Sequence, residues 1–482
     1  MLCFHSLLQF LNFKVDLSYK TVLLKVSQTK SKLRWWNGRH TRLRGVCREA
    51  WGFESPLKHQ FFSMLDIHFF RENFEVIRQR IAKKHFKCDL NLVRDLDTKR
   101  IASLKAFEAA RAQQQAANKK ISALDKKSEG FKQAILDLKQ QSNQIKNLEE
   151  AYKQADQAFM KEWLTVPNLP SEDSPTGTCD QDNKELYQWH PQDEHYENTC
   201  PHYDIPHFSR WLDFERGTKV MGAGFPFYVG PVARLVRALI SFFLEEAYKN
   251  GYVELLTPLL VNATSATATG QLPDKEGQMY GTGDGYLIPT AEVPVTNFIR
   301  DEILKESDLP RKCCAYSACF RREAGSWGKD VRGLNRLHQF DKVELVQWVH
   351  PDKSFEALEL LRKDAELLLQ KLGLPYRVLS ICTGDMGFPH AKQYDLEVWA
   401  AGQKRWLEVS SCSCFTDFQA RRANIRFRAA DGTLRFVHTL NGSGLAVPRV
   451  LAAILENNYD GQGNVLIPEV LQKWLPEKEI KF

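Results

Sequence analysis

The stretch Cys319-Phe320-Arg321-Arg322-Glu323-Ala324-Gly325-Ser326, with its return His338-Gln339-Phe340-Asp341-Lys342-Val343-Glu344, decides how this chain reads. Arg321 and Glu323 stand at i and i+2 of an extended segment, so their side chains point to one side. A glycine-containing turn follows, and a second strand returns with an aromatic and an acid. Such a hairpin can hold a phosphate, a purine and a small polar ligand together. Taken alone, the same residues also describe a surface Arg–Glu pair on an ordinary hairpin, which contributes little. The rest of the chain decides between the two.

With 482 residues, 26% charged and 43% hydrophobic, the chain has the composition of a globular protein of two or three domains. No run of eighteen or more apolar residues occurs, so no membrane-spanning helix is expected. The eleven cysteines form no C-x-x-C spacing and are expected as free thiols in a reducing cytoplasm. His195, Cys200, His202 and His207 are irregularly spaced and interrupted by Pro201 and Pro206, so no structural zinc is expected there.

The formal charge of +7 suggests nucleic acid, but its location weakens the point. Residues 1–63 hold 11 Lys/Arg against 3 Asp/Glu, leaving 55 against 56 in the remainder. Only a local basic patch can argue for RNA. The first 63 residues have neither helical nor alternating periodicity. Trp51-Gly52-Phe53-Glu54-Ser55-Pro56 can be written TGG GGG TTC GAG TCC CCC, a short stem closed on a loop like the TΨC arm of a tRNA gene, and His59-Gln60 can encode a terminal CCA. Residues 1–63 are therefore expected to be a non-native, disordered leader translated from a tRNA gene, with Met64 the true start. A basic transit peptide is the competing reading. A mature native chain that still carries Trp35 would contradict the first.

A short amphipathic helix (Phe69, Phe70, Val76, Ile77, Ile81) is expected after Met64. From about residue 92 to 164 there is no proline and one glycine. Apolar positions step by three and four through Leu92, Leu96, Leu104 and Phe107. They resume after Ser128-Glu129-Gly130 at Ile135, Leu138, Ile145, Leu148, Tyr152 and Phe159. This predicts two long helices joined at the Gly130 turn as an antiparallel coiled-coil hairpin. Its tip is basic, with Arg111, Lys119, Lys120, Lys126 and Lys127, and suits the phosphate backbone of RNA. A solvated coiled coil for dimerisation is the plainer alternative. Beyond the prolines at 167 and 170, helices near 231–250 and 352–372 mix with β-rich segments near 284–290, 312–320, 338–349 and 404–411. That order predicts an α+β domain built on a mostly antiparallel sheet. Gly442-Ser443-Gly444 lacks the third glycine and the βαβ context of a dinucleotide site.

Several blocks then converge. Gly251-Tyr252-Val253-Glu254-Leu255-Leu256-Thr257-Pro258, Phe320-Arg321-Arg322-Glu323 and Gly442-Ser443-Gly444-Leu445-Ala446-Val447-Pro448-Arg449 resemble motifs 1, 2 and 3 of the class II aminoacyl-tRNA synthetases. Thr290-Ala291-Glu292, Glu408-Val409-Ser410-Ser411-Cys412-Ser413 and His438-Thr439-Leu440-Asn441 resemble seryl-tRNA synthetases of the bacterial type. The resemblance runs from Met64 to near the C-terminus and rests on ordered blocks, each weak alone.

It implies a tRNA-binding domain over 64–170 and a class II catalytic domain over 171–482. It also implies ATP-dependent ligation of L-serine to tRNA(Ser) through seryl-adenylate, and to tRNA(Sec) as well. Catalysis would fall to Arg321, Glu408 and Arg449. ATP would be held by Arg321, Arg322, Glu323, Phe340, Glu408, Val409, Ser410, Ser411 and Arg449, and its Mg²⁺ by Glu408 and Ser411. Serine would be held by Thr290, Ala291, Glu292, Arg321, Glu344 and Ser443. Motif 1 implies a homodimer, and the chain is expected in the cytoplasm. Departures lie in Ala223-Gly224-Phe225-Pro226-Phe227-Tyr228, a Gly/Pro insertion, and in the bulky Trp327. Two other readings stay open: an inactive tRNA-binding paralogue, and an amino-acid:carrier-protein ligase, whose relatives would lack the arm.

Overall fold

The computed structural model describes residues 65–122, 127–192, 199–274, 277–323 and 332–482. The proposed leader, Met64, Lys126, His195 and Trp327 lie outside them. The helix expected after Met64 is two helices, α1 (Ile67–Glu72) and α2 (Phe74–Ala82), parted at Asn73. Phe70, Ile77 and Ile81 face inward as expected, while Phe69 and Val76 are exposed.

Two long helices follow, α3 (Leu90–Ile121) and α4 (Glu129–Trp163). The Asp89 carboxylate caps α3 by accepting from the Leu92 amide at 3.0 Å. The Ser128 hydroxyl caps α4, accepting from the Phe131 amide at 3.2 Å. That cap moves the turn ahead of Gly130, which lies in the first turn of α4 instead of forming the corner. Leu92 and Ile135 also differ from expectation, since both are exposed. At the root, Phe70, Phe159 and Trp163 pack together, Phe70 meeting Trp163 edge-on at 5.0 Å. Arg100 lies over Phe159 at 4.6 Å and is paired with Asp97 (2.8 Å) and Asp156 (3.6 Å). Arg71 of α1 reaches the same Asp97 at 2.6 Å. This charged lock ties the two long helices to each other and to α1.

The second domain is a sheet of eight strands. In chain order they are β1 (Lys184–Trp189), β2 (Val253–Glu254), β3 (Arg311–Phe320), β4 (Gln339–Val349), β5 (Tyr376–Ser380), β6 (Lys392–Ala400), β7 (Arg405–Cys414) and β8 (His438–Ala446). Their spatial order is β1-β5-β6-β7-β8-β4-β3-β2, and every pairing is antiparallel except β2 with β3. The antiparallel α+β expectation therefore holds.

One face is covered by α5 (Gly230–Lys249), α6 (Ser354–Lys371) and α7 (Val447–Asn457), whose apolar sides join Val343, Leu345 and Val349 in the main core. On the other face a smaller core gathers Val346, Trp348, Ala291, Val295 and Ala420. Strand β4 is thus buried on both sides, a position that normally demands an unbroken apolar run. Lys342 and Glu344 interrupt it.

Candidate active site

Lys342 and Glu344 share a strand face with Phe340 at i, i+2 and i+4, and all three line a cavity of about 510 Å³ above the sheet. Lys342 Nζ lies 2.5 Å from Glu344 Oε2, and the Thr290 hydroxyl donates to the same oxygen at 3.2 Å. Both contacts fall on Oε2, which leaves Oε1 for a ligand. Glu344 stands directly opposite Ser443 of β8 in the ladder. A buried ion pair is weak evidence for stability, because removing two charges from water costs about what their attraction returns. Its position in a cavity fits a ligand site better.

Thr290 and Glu292 sit where a turn enters a one-turn helix, Glu292–Thr296, and the Glu292 amide donates to the Thr290 hydroxyl at 3.2 Å. The Glu292 carboxylate accepts from Gln419 Nε2 at 2.6 Å, and Gln419 Oε1 accepts from the Thr439 hydroxyl at 2.8 Å. Burial, and then the charge of Glu344, push the Glu292 carboxyl up to about 7.

On the opposite wall, Glu408 and Ser411 lie three apart, which on a regular strand puts them on opposite faces. The register slips between β6 and β7, so that Leu396 faces Ser410 and Glu397 faces Glu408, with Val409 left over. This bulge turns Glu408 and Ser411 to the same side, toward the cavity, while Val409 packs in the main core at its edge. Arg449, at the start of α7, spans that wall: Nε donates to the Asn335 carbonyl (3.0 Å) and Nη1 to the Glu408 carbonyl (2.8 Å).

The Arg321 amide bonds the His338 carbonyl (2.9 Å), continuing the β3–β4 hairpin, and its guanidinium lies over the Phe340 ring at 5.1 Å. The Arg321 Nε donates to the Pro289 carbonyl at 3.3 Å. Glu323 accepts from Arg336 at 3.0 Å and has φ +48°, a strained backbone for a non-glycine residue. The insertion at 223–228 packs beside this hairpin: Phe225 stacks on His338 at 5.5 Å, and the Gly224 carbonyl accepts the His338 amide.

The cavity therefore gathers Arg321, Glu323, Phe340, Glu408, Val409, Ser411, Arg449, Thr290, Glu292, Glu344 and Ser443. Three expected residues do not line it. Arg322 points away over Tyr280 (5.9 Å), as strand alternation between Arg321 and Glu323 requires. Ala291 is buried in the smaller core, and Ser410 is turned inward to donate to the Ser443 carbonyl at 2.7 Å.

Sequence reasoning missed Lys342, Gln419, Asn441, Ser413 and His390. Lys342 carried a legible signal, two residues before Glu344 on one strand face. The buried Ser413 hydroxyl faces the cavity with no partner among the described residues. Arg111, Lys119, Lys120 and Lys127 are exposed near the end of the α3–α4 hairpin. His202 is buried, its Nδ1 donating to Glu456 at 2.7 Å and its Nε2 accepting the Leu334 amide at 2.9 Å, so both ring nitrogens are engaged. Among the described residues, no group of three or more His, Cys, Asp and Glu is arranged to hold a metal.

Comparison with known proteins fits this geometry. Residues 64–170 match the seryl-tRNA synthetase N-terminal domain, and residues 281–458 the tRNA synthetase class II core domain (G, H, P, S and T). The serine–tRNA ligase of Pelobacter propionicus is 49% identical over 416 residues, 86% of this chain and 98% of the relative. That of Caldicellulosiruptor saccharolyticus is 49% identical over 421 residues, 87% of this chain and 100% of the relative. Among solved structures, the seryl-tRNA synthetase of Pyrococcus horikoshii complexed with ATP superposes with a TM-score of 0.79 at 33% identity, covering 87% of this chain and 99% of that one.

Proposed function

The chain belongs to the seryl-tRNA synthetase family, and from that premise we propose that it joins L-serine to tRNA(Ser) in two steps through seryl-adenylate. In the first step a serine carboxylate oxygen attacks the α-phosphorus of ATP, the bond to the leaving pyrophosphate breaks, and a mixed anhydride forms. In the second a terminal ribose hydroxyl of the tRNA attacks the acyl carbonyl and AMP leaves. Both steps need positioning and charge neutralisation more than a protein nucleophile.

Arg321 bridges the α-phosphate and the serine carboxylate, a task for a planar guanidinium fork. The adenine lies on Phe340 with its amino group toward Glu323, and Arg449 covers its other side or the γ-phosphate. Glu408 and Ser411 offer hard oxygens to the Mg²⁺ that arrives with ATP.

The observation that carries the serine reading is Glu344, which has one carboxylate oxygen engaged by Lys342 and Thr290 and the other left to the cavity. A serine hydroxyl satisfies that acceptor and alanine cannot, and an unpaired buried acceptor discriminates strongly. Alanine is therefore expected to support ATP–pyrophosphate exchange at about a hundredth or less of the rate with serine. Equal exchange with alanine would remove this reading of the pocket.

Glu292, beside Thr290, receives the α-ammonium group. Without ligand its carboxyl is protonated below about 7, whereas a bound ammonium favours the carboxylate. Serine KM is therefore expected to rise as pH falls below about 7, by up to about tenfold per unit. The slope should vanish in Glu292→Gln; a pH-independent KM in the native protein would contradict the assignment. Since the folded pKa lies above the ordinary carboxylate value of 4.5, the protonated group's stabilising contribution is fully present below about 4.5. It is lost as pH rises through about 7.

The exposed lysines of the arm fit an RNA backbone and read no base sequence, which is compatible with tRNA(Sec) beside tRNA(Ser). Val253, Leu256, Leu259 and Leu260 are 61%, 88%, 41% and 44% exposed along the open edge formed by β2. An apolar run there suits a two-fold contact with a second copy. No helix among the described residues is long and apolar enough to cross a membrane.

A further inference from the structure

Lys84, just past α2, is 1% exposed and has no carboxylate partner among the described residues. Its Nζ donates to three backbone carbonyls of the second domain, Gly387 (2.7 Å), Phe388 (3.1 Å) and His390 (2.9 Å). Asn168, where the first domain ends, supplies the rest. Its amide donates to the Phe388 carbonyl (3.1 Å), and its side chain to the Pro389 (3.0 Å) and Phe415 (2.7 Å) carbonyls. All four carbonyls of the turn 387–390 are thus held by donors from the domain that carries the arm. Three acceptors around one nitrogen match the three N–H groups of an ammonium, not a planar guanidinium.

The turn leads toward the cavity. His390 lines the cavity, and burial pushes its imidazole down to about 4, so it is neutral at physiological pH. Its Nδ1–H donates to Gln393 Oε1 at 2.5 Å, and Gln393 Nε2 donates to Asp395 Oδ1 at 2.9 Å. Asp395 stands directly opposite Ser411 in the β6–β7 ladder.

We infer that Lys84 and Asn168 are positioning residues for the ATP side of the cavity, acting through the turn 387–390 and the chain His390–Gln393–Asp395 on Ser411. The root of the arm domain then takes part in serine activation, before any tRNA is bound. Lys84→Met keeps the aliphatic stem but removes the cross-domain donor from the Gly387 and His390 carbonyls and one of the two donors on Phe388, which loosens the turn.

The inference rests on the reading that the cavity takes ATP and serine, and exchange by the unaltered protein tests that reading separately. In the full-length protein, Lys84→Met is expected to raise the KM for ATP about fivefold or more while serine KM stays within about twofold. Asn168→Ala, which keeps Lys84, should raise ATP KM about threefold. Gln393→Ala should resemble Lys84→Met, and the double variant should be no worse than the poorer single one, as expected of residues on one path. Thermal midpoints are measured alongside. An unchanged ATP KM in folded Lys84→Met would overturn the inference, even with a lowered midpoint. So would an unchanged ATP KM in Asn168→Ala should Lys84→Met fail to fold, or effects that multiply in the double variant.

Discussion

Arg321→Ala is expected to lower serine-dependent ATP–pyrophosphate exchange by about a thousandfold or more, with the thermal midpoint moving by only a few degrees. The two halves of this prediction have separate origins. Arg321 is half-buried, held by one 3.3 Å bond to a carbonyl and by the face of Phe340. Little of the fold depends on those contacts. In the first step, however, its guanidinium faces two anions that must approach each other, the serine carboxylate and the α-phosphate. Losing a preorganised charged donor at a reacting centre is worth about 4 kcal/mol, which is about a thousandfold. Arg449 makes a less clean experiment, because it also ties Asn335 to Glu408 through their carbonyls, so its loss loosens the wall as well. Exchange by Arg321→Ala within tenfold of the native rate would assign the α-phosphate to another group.

Shortening the hairpin should separate the two steps. Replacing residues 105–150 by a glycine-rich turn removes Arg111, Lys119, Lys120 and Lys127 but keeps Asp97, Arg100 and Asp156, the charged lock at the root. Lys84 and Asn168 also remain, so the clamp on the turn 387–390 is intact. Exchange is then expected within about twofold of native, while the rate of tRNA charging falls at least a hundredfold. About five phosphate contacts carry most of the affinity of such an interface, and that affinity falls steeply with salt. Normal charging by the shortened protein would make the hairpin a spacer or an assembly device.

The periodicities that define elements were legible from residues 64 to 482. The helical steps of Leu96, Leu104, Phe107 and Leu138 marked the hairpin, and the alternation of Arg321 with Glu323 and of Phe340 with Glu344 marked the site. Where expectation and structure part, a local or tertiary effect intervenes. Ser128 is a better helix cap than Gly130 is a corner, so the turn moved. Leu92 and Ile135 satisfy the spacing, yet both stand exposed on the helices. Arg322 carried a matching motif letter, but alternation turned it to the opposite face from Arg321.

The bulge at Val409 has no signature in single residues, because it is a property of two strands and their register. Gln419 and His390 were illegible for a related reason. Gln419 reaches Glu292 across 127 positions of chain, and His390 faces the cavity from a turn whose place is set by Lys84, 306 positions away. Lys342 is the instructive miss, since Lys-Val-Glu reads as a solvated strand face, yet Lys342 and Glu344 are both buried where they line the cavity.

The central claim is that one cavity activates serine and one arm delivers the tRNA, and ATP–pyrophosphate exchange followed by acylation of tRNA(Ser) measures both on the same purified protein. Exchange that depends on serine, followed by serine esterified to tRNA(Ser), is the predicted result. Exchange without transfer to tRNA would point to a carrier-protein ligase, and neither activity to an inactive tRNA-binding paralogue; either outcome would contradict the claim.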